Sequence, residues 1–344
     1  MCKKFLNFIF LFYGGARRDR TADLLRATQA LSQLSYSPKD EELYISNVHI
    51  EYYLLYLNCM EFKELNSSSQ IGVQITDVDL SQDLGVDELN KIYQLWVKNS
   101  VAIFPNQTLT HDAYNNFAMQ FGKFGEEPFL TTMKSQMHIV ELRRKAKEEA
   151  AVFGGSWHSD WSFQSSPPSA TMLHSKIVPP IGGDTLFSNS ALAYDDLSEE
   201  LKEKVNSLNG VHSAKLPYAD DGFYALEGKE RTMKIKSSAQ ANKKNLHPMV
   251  REHVDTKRKS LFINPVYTIG VDGMSDMQAF SFLSELFEHM TQEKYIYRHK
   301  WEPDMLIIWD NRSVMHMAEG GYDGHERLMH RLTIAGEAPI KAIS

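Results

Sequence analysis

The five residues WHSDW, Trp157 to Trp161, place an imidazole and a carboxylate two positions apart. Side chains two residues apart on a β-strand point to the same face. On a strand, His158 and Asp160 would therefore converge, while Ser159 and both tryptophans would face the other way. Two protein ligands hold a divalent ion weakly, so this stretch predicts a third ligand from a distant segment.

The best candidate for the third ligand is His316, which ends the stretch LIIWDNRSVMH. An apolar strand there enters an Asp310-Asn311 turn, and we expect this turn to aim the histidine. Two histidines and one carboxylate on one triangular face leave open coordination positions, an arrangement typical of non-haem iron(II) oxygenases. The chain has 13 histidines, so spacing alone also allows an ordinary structural role for His158.

The composition limits which ligands and partners are available. Both cysteines, Cys2 and Cys59, lie near the start of the chain, so the rest can offer a metal only His, Asp or Glu. This cysteine usage indicates a reducing, cytoplasmic location. The net charge of -7 lacks the basic excess of nucleic-acid-binding proteins, so no nucleic-acid partner is predicted. Apolar residues make up 42% of the 344 residues, enough for a sizeable core.

Two arginines follow the third candidate ligand on a strand-like run. Arg327 and Arg331 lie four apart in RLMHRLTIAG, so the pleat points both to one face together with Met329. A buried guanidinium is costly without a partner, and its planar fork suits carboxylate-like groups. Anionic ligands near the metal are one interpretation, and pairing with Asp or Glu at a solvated edge is the other.

The sequence predicts a mainly β fold with flanking helices. From Trp157 onward the chain is cut by Pro and Gly into short β-type runs, which indicate a sandwich or jelly roll. Strands are expected at 71–78, 101–104, 170–173, 185–187, 260–263, 305–309 and 327–334, and helices at 87–99, 110–121, 196–208 and 276–290. The polar stretch 213–245 has little periodicity and predicts a mobile lid.

Residues 1–59 do not fit this pattern and are predicted to be a spurious or disordered extension. The apolar run 5–13 is too short to cross a bilayer, which needs about 20 apolar residues, so no membrane association is expected. The segment 14–38, GGARRDRTADLLRATQALSQLSYSP, resembles a phrase that arises when a transfer-RNA gene is translated by mistake. Met60 would then begin the domain, residues 60–344. A real but poorly packed N-terminal arm is the alternative.

Within a region of resemblance that covers roughly residues 71–339, six motifs occur in order: WHSDWSF, PPSATMLHSKIVPPIGGDTLF, NGVHS, LHPMVREH, WDNRSVMH and ERLMHRLTIAGEAP. They resemble the taurine dioxygenase and chlorophenoxyacetate dioxygenase (TauD/TfdA) family. The resemblance implies a cupin-like double-stranded β-helix with His158, Asp160 and His316 as ligands of Fe(II). It also implies that 2-oxoglutarate and O2 are consumed to hydroxylate a substrate, with release of succinate and CO2.

The resemblance carries over to three further positions. Thr185, in GGDT, and Arg327 match the residues that bind the far carboxylate of 2-oxoglutarate. Arg331 matches the arginine that binds the sulfonate or carboxylate of the prime substrate. We therefore expect a small anionic organic substrate: a sulfonate, a sulfate ester or a carboxylate.

Two departures from the taurine enzymes concern the substrate. Four residues before the first ligand they carry a substrate-binding Asn, where this chain has Gly154. Their substrate-binding His after a Phe-Gly pair is also missing, because Phe121-Gly122 is followed by Lys123-Phe124-Gly125. Taurine itself is therefore not the expected substrate.

Two other functions are compatible with the triad. A zinc-type metal hydrolase would use the same ligands and an activated water. Against it, no convincing general base stands beside the ligands and the two arginines would be unexplained. A non-catalytic, cupin-like binding protein is the other alternative, and the intact triad together with Arg327 argues against it. A homo-oligomer, dimer or tetramer, is left open.

Overall fold

The computed structural model describes residues 60–66 and 68–342. The expectations for residues 1–59 lie outside the described residues. Within the described part of the chain, no helix combines the length and the apolar character needed to cross a membrane.

Seventeen strands are present in the described residues. They are β1 (Glu61–Asn66), β2 (Ile71–Thr76), β3 (Val101–Phe104), β4 (Thr132–Met133), β5 (Gln136–Arg144), β6 (Ala170–Ile177), β7 (Thr185–Asn189), β8 (Asn209–Ser213), β9 (Lys244–Pro248), β10 (Val250–Glu252), β11 (Lys259–Leu261), β12 (Thr268–Val271), β13 (Ile296–His299), β14 (Leu306–Asp310), β15 (Val314–Ala318), β16 (Arg327–Ile334) and β17 (Ile340–Lys341).

Seven α-helices lie in the same part of the chain. They are α1 (Val86–Asn99), α2 (His111–Met119), α3 (Ser190–Asp195), α4 (Glu199–Ser207), α5 (Lys215–Tyr218), α6 (Phe223–Leu226) and α7 (Asp276–Met290), with 3-10 turns at Ala239–Asn242 and Glu293–Tyr295. Three of them begin after a hydroxyl cap, Thr110, Ser198 or Ser275, whose oxygen accepts a backbone N–H of the first turn. The helix expected over 196–208 therefore begins only at Glu199.

The strands form one large sheet and three small ones. The large sheet has the order β1-β2-β3-β14-β6-β16-β5-β4, and the small sheets are β13-β7-β15, β12-β8-β9 and β11-β10-β17. Every pairing among them is antiparallel except that of β2 with β3. This is the mainly β jelly roll that the sequence predicted.

The apolar run at the centre of the large sheet is explained by the fact that both of its faces are covered. On β14, Leu306 and Ile308 pack with α1 and α2, while Ile307 and Trp309 pack on the opposite face with Phe187 of the small sheet β13-β7-β15. A strand covered on both faces has a continuous apolar run rather than an alternating pattern. The arrangement fixes β14, and hence the turn that leads to His316, between two cores.

The segment 213–245 is not a structureless loop. It contains α5, α6 and a 3-10 turn. Five of its side chains are buried in a cluster that also contains Trp161: Ala214, Tyr218, Ala219, Met233 and Ala241. These helices were not predicted, because each is only one turn long and a single turn in a polar segment shows no helical spacing of apolar residues. That the segment moves as a lid stays a prediction.

The stretch WHSDW is not a strand, contrary to expectation. His158 forms a single antiparallel bridge with His316, through two backbone hydrogen bonds of 3.0 and 2.7 Å. The chain then turns at Asp160, and Trp161 has a φ of +46°. Because of this turn, Trp161 does not face away from the ligands: its ring lies against Arg331, 5.2 Å from the guanidinium carbon.

Candidate active site

Three candidate ligand side chains converge at the bridge between His158 and His316. Asp160 Oδ1 lies 3.6 Å from His158 Nε2, and Asp160 Oδ2 lies 3.7 Å from His316 Nε2. One ligand atom from each of the three residues lies within 4.8 Å of the others, and all three residues are buried. Two atoms that are each about 2.1 Å from one ion lie at most about 4.2 Å apart, a limit that both carboxylate–imidazole distances meet.

The two imidazoles are presented with free lone pairs. His158 Nδ1 lies 2.7 Å from the carbonyl oxygen of Ser156. A carbonyl can only accept, so Nδ1 carries the proton and Nε2 keeps its lone pair for a metal. Burial lowers the pKa of His316 to about 3, which keeps this imidazole neutral at physiological pH. Its Nδ1 is buried without a hydrogen-bond partner among the described residues.

The carboxylate of Asp160 is held by β6 and by the turn after β14. Thr171 donates its hydroxyl to Asp160 Oδ2 at 2.6 Å, and Asn311 donates its amide to Thr171 Oγ1 at 2.9 Å. Burial opposes the ionisation of Asp160, but the charge of the Arg331 guanidinium favours it, and the pKa of Asp160 is held well below its usual range. Asp160 is therefore an ionised ligand with a fixed orientation.

Asp310 shapes the turn that leads to His316, as expected. Its carboxylate accepts from the backbone N–H and Nε of Arg312 at 2.8 and 2.9 Å and lies 2.8 Å from His253 Nε2. Burial raises the pKa of Asp310, but Arg312 and His253 outweigh it and lower the pKa overall. This network lies behind the turn that leads to His316 and contains none of the three candidate metal ligands.

Arg331 has anionic partners within the protein. Its Nη1 donates to both carboxylate oxygens of Glu127, each at 2.5 Å. Its Nη2 lies 3.1 Å from Asp160 Oδ1, an ion pair without hydrogen-bond geometry. Burial lowers the pKa of Arg331, but Asp160 and Glu127 outweigh it and raise the pKa overall. Arg331 thus pairs with carboxylates of the chain, but in a buried site and not at the solvated edge that the second interpretation assumed.

Arg327 has no such partner. Its side chain forms no ion pair or hydrogen bond with another described residue, and its Nε is buried without a partner. Burial lowers its pKa. Its guanidinium lies over the ring of Trp301, 6.0 Å from the centroid, and Trp301 Nε1 donates to Thr185 Oγ1 at 3.0 Å. Gly183, with φ +72°, leaves room for the guanidinium, because a Cβ there would lie 3.3 Å from Arg327 Nε.

The model of the taurine catabolism dioxygenase TauD, TfdA family matches residues 61–333. The chain belongs to the TauD/TfdA family. It is thus a 2-oxoglutarate-dependent dioxygenase, with 2-oxoglutarate and O2 as cosubstrates and a metal site at the His-Asp-His cluster. The recognition made from the six sequence motifs is confirmed.

Curated relatives and solved structures agree with this assignment to the TauD/TfdA family. An alpha-ketoglutarate-dependent 2,4-dichlorophenoxyacetate dioxygenase of Cupriavidus pinatubonensis is 32% identical, with 77% of this chain and 95% of that protein covered. An alpha-ketoglutarate-dependent sulfate ester dioxygenase of Pseudomonas putida is 30% identical, with 79% and 89% covered. The crystal structure of a taurine dioxygenase from Burkholderia xenovorans has a TM-score of 0.67 at 28% identity, covering 82% of this chain and 91% of that one.

A further solved structure, that of AAD-2 in complex with Mn(II) and N-oxalylglycine, has a TM-score of 0.64 at 26% identity. It covers 83% of this chain and all of that one. The cupin-like jelly roll predicted from the sequence is thus shared with TauD/TfdA enzymes.

Gly154, one of the two departures from the taurine enzymes, lies beside a metal ligand in this TauD/TfdA chain. Its φ is +73°, and a Cβ there would lie 3.3 Å from His158 Cε1. A larger residue in this backbone conformation would be strained and would press on the imidazole. Gly154 therefore lets the backbone pass close to the imidazole of His158.

Three residues of this TauD/TfdA site escaped the sequence analysis: Glu127, Thr171 and Trp301. Glu127 follows the Phe121-Gly122 pair, after which the substrate-binding histidine of the taurine enzymes is absent. The need of a buried Arg331 for an anionic partner could have pointed to Glu127. Thr171 and Trp301 gave no signal, because their roles depend on strand register and on the packing of a distant loop.

Proposed function

We propose that the protein is an Fe(II) enzyme that hydroxylates a small organic substrate bearing an anionic group. One O2 supplies an oxygen atom to the substrate and one to succinate, and 2-oxoglutarate loses CO2. The observation that carries the proposal is the convergence of two imidazoles and one ionised carboxylate within 4.8 Å, on a chain that also leaves Arg327 unpaired.

The donor set favours iron. Two imidazoles and a carboxylate on one face leave the opposite positions free, and this facial arrangement is characteristic of non-haem iron(II) oxygenases. Ferrous iron bound there would supply the activation of O2. The protein contributes ligand orientation through Ser156 behind His158 and Thr171 behind Asp160.

Arg327 and Thr185 are proposed to hold the far carboxylate of 2-oxoglutarate. A buried guanidinium without an anion is costly. A dicarboxylate would remove that cost, because arginine binds carboxylates bidentately. Thr185 Oγ1 already accepts from Trp301 Nε1, so its own hydrogen is free to donate to the same carboxylate.

The class of substrate is proposed from the relatives. Their names specify 2,4-dichlorophenoxyacetate, sulfate esters and sulfonates, which all carry an anionic group. A hydroxyl added to a carbon that bears a sulfate ester or an aryl ether gives an unstable product, which collapses to a carbonyl and releases the leaving group. Hydroxylation alone would then cleave the substrate without any hydrolytic water.

The test is cofactor dependence. The purified protein is supplied with Fe(II), 2-oxoglutarate and a panel of sulfonates, sulfate esters, phenoxy acids and amino acids, while O2 uptake and succinate are measured. We expect at least one class to stimulate succinate formation, with one O2 consumed per succinate. Substrate cleavage by a zinc-loaded sample without O2 would instead favour the metal hydrolase. Glu127 does not offer that hydrolase a free general base, since its carboxylate is bound to Arg331.

A further inference from the structure

A buried carboxylate already lies on the arginine predicted to receive the anionic group of the substrate. Both oxygens of Glu127 lie 2.5 Å from Arg331 Nη1, and the two side chains are 5% and 4% exposed. The same guanidinium reaches Asp160, one of the three candidate metal ligands, at 3.1 Å. Glu127 is thus separated from the metal cluster by a single side chain.

Glu127 is fixed in this place by two further donors. Trp161 Nε1 donates to Oε2 at 2.9 Å, and Thr333 Oγ1 donates to Oε1 at 3.1 Å. Trp161 in turn packs its ring against Arg331. A carboxylate with three donors and almost no solvent exposure is part of the site and not a surface group that swings away at no cost.

The formal charges of the site indicate how the Glu127 carboxylate affects the binding of an anion to Arg331. With a divalent metal and doubly charged 2-oxoglutarate bound, the charges of Asp160, Glu127, Arg327 and Arg331 bring the total to zero. Without Glu127 the total would be +1, which an anionic group on Arg331 would neutralise. In this chain Glu127 supplies that negative charge, and an anion on Arg331 would lie beside a carboxylate of the same sign, where repulsion in a buried site is strong.

We propose that Glu127 is a specificity-determining residue that excludes anions from Arg331, so that the substrate presents an uncharged or cationic group there. Any anionic group of the substrate then binds elsewhere in the site. The inference rests on the proposed function, because it narrows the class of compound that this dioxygenase accepts. Compact sulfonates and carboxylates that rely on Arg331 are excluded.

The experiment compares matched probes on matched variants. Phenoxyacetate and methanesulfonate are the anions, and phenoxyacetamide and methanesulfonamide are their uncharged counterparts. Binding to the metal-free protein is measured by calorimetry for the wild type, Glu127→Gln and Glu127→Asp. Glu126→Gln is the control, because it removes the same charge from the exposed neighbouring position. Glutamine keeps the size of Glu127 and an oxygen for Trp161, and thermal unfolding checks that each variant is folded.

We expect Glu127→Gln to bind at least one anion tenfold or more tightly than the wild type, with the uncharged probes changing less than about twofold. Glu127→Asp keeps the charge, so it should bind anions as weakly as the wild type, and Glu126→Gln should do the same. The proposal is overturned if the folded Gln variant gains no affinity for either anion, or if the uncharged probes gain equally. Since this measurement needs neither iron nor 2-oxoglutarate, an enzyme without dioxygenase activity would contradict the proposed function and leave this result standing.

Discussion

Two arginines four residues apart on β16 have opposite electrostatic surroundings. Arg331 is bound by Glu127 and lies 3.1 Å from Asp160. Arg327 is also buried, yet its side chain forms no ion pair or hydrogen bond with a described residue and its Nε lacks a partner. The pKa of Arg331 is raised because its two carboxylates outweigh burial, whereas burial lowers the pKa of Arg327.

This contrast shows that a sequence pattern can locate buried cations but does not indicate which of them lacks an anionic partner in the ligand-free protein. A cation paired inside the protein contributes to the stability of the ligand-free fold. A buried cation without a partner destabilises the ligand-free fold, and this destabilisation is relieved only when an anion binds to it. By this criterion we propose Arg327, and not Arg331, as the arginine that binds an anionic ligand.

Removing Asp160 takes away a metal ligand and one of the two carboxylates near Arg331. We expect Asp160→Ala to lose bound iron and to lower turnover by about 1,000-fold or more, since a metal site contributes several kcal/mol to transition-state stabilisation. Iron content and succinate formation measure the effect. Asp83→Ala, at an exposed position, is the control. Turnover that survives in Asp160→Ala would show that the triad is assigned incorrectly.

Removing Arg331 should destabilise the protein before any ligand is added. Arg331→Met leaves the buried carboxylates of Glu127 and Asp160 without their cation, a change that costs about 3 to 5 kcal/mol for a buried pair. The free energy of unfolding of the metal-free protein is the measurement. The double variant Arg331→Met, Glu127→Gln should recover part of the loss, because it removes one unpaired charge. Equal stability of Arg331→Met and the wild type would contradict the pairing.

Removing Arg327 should have the opposite effect on the empty protein. Arg327→Leu replaces an unpaired buried cation by an apolar side chain, so the free energy of unfolding should stay the same or increase. The KM for 2-oxoglutarate should rise by about 100-fold, because a charge-assisted contact worth about 2 to 5 kcal/mol is lost. Steady-state kinetics and unfolding are measured on the same preparation. A loss of stability as large as that of Arg331→Met would refute the contrast between the two arginines.

Much of the fold followed from local sequence pattern. The bounds of β3, β16 and α7 agree with the sequence prediction, because each is a strongly patterned segment with clear end signals. Residues 136–144 were not recognised as a strand, although β5 pairs with β16 there. Its exposed face carries charged residues, so the apolar alternation on which a strand prediction depends is weak.

The site was predicted as a set of residues but not as a set of contacts. His158, Asp160 and His316 were chosen correctly as converging side chains, although the strand geometry invoked for the first two was wrong. The bridge to His316 sets the position of His158, and the turn at Asp160 sets that of Trp161. Such contacts arise between segments more than 150 residues apart, so no local period can reveal them.

Replacing Thr171 tests the long-range contact with the smallest expected effect, the hydrogen bond between Thr171 and Asp160. Its hydroxyl donates to Asp160 Oδ2 at 2.6 Å, on the side of the carboxylate opposite to the oxygen that faces Arg331. Thr171→Val keeps the shape of the side chain and removes this donor, so Arg331 would remain as the cationic partner of the Asp160 carboxylate. We expect metal affinity to fall by about 10-fold to 100-fold, the usual effect of losing a residue that orients a metal ligand.

The matched control for this change is Thr171→Ser, which keeps the hydroxyl and should bind metal within about threefold of the wild type if orientation is what matters. Competition with a coloured chelator measures the affinity of all three proteins, and the KM for 2-oxoglutarate should not change, because Arg327 is untouched. If valine and serine weaken metal binding equally, the lost packing of the methyl or hydroxyl group explains the effect. If neither variant weakens it, Arg331 suffices to orient Asp160, and the paired arginine would then have a role in metal binding that its unpaired neighbour lacks.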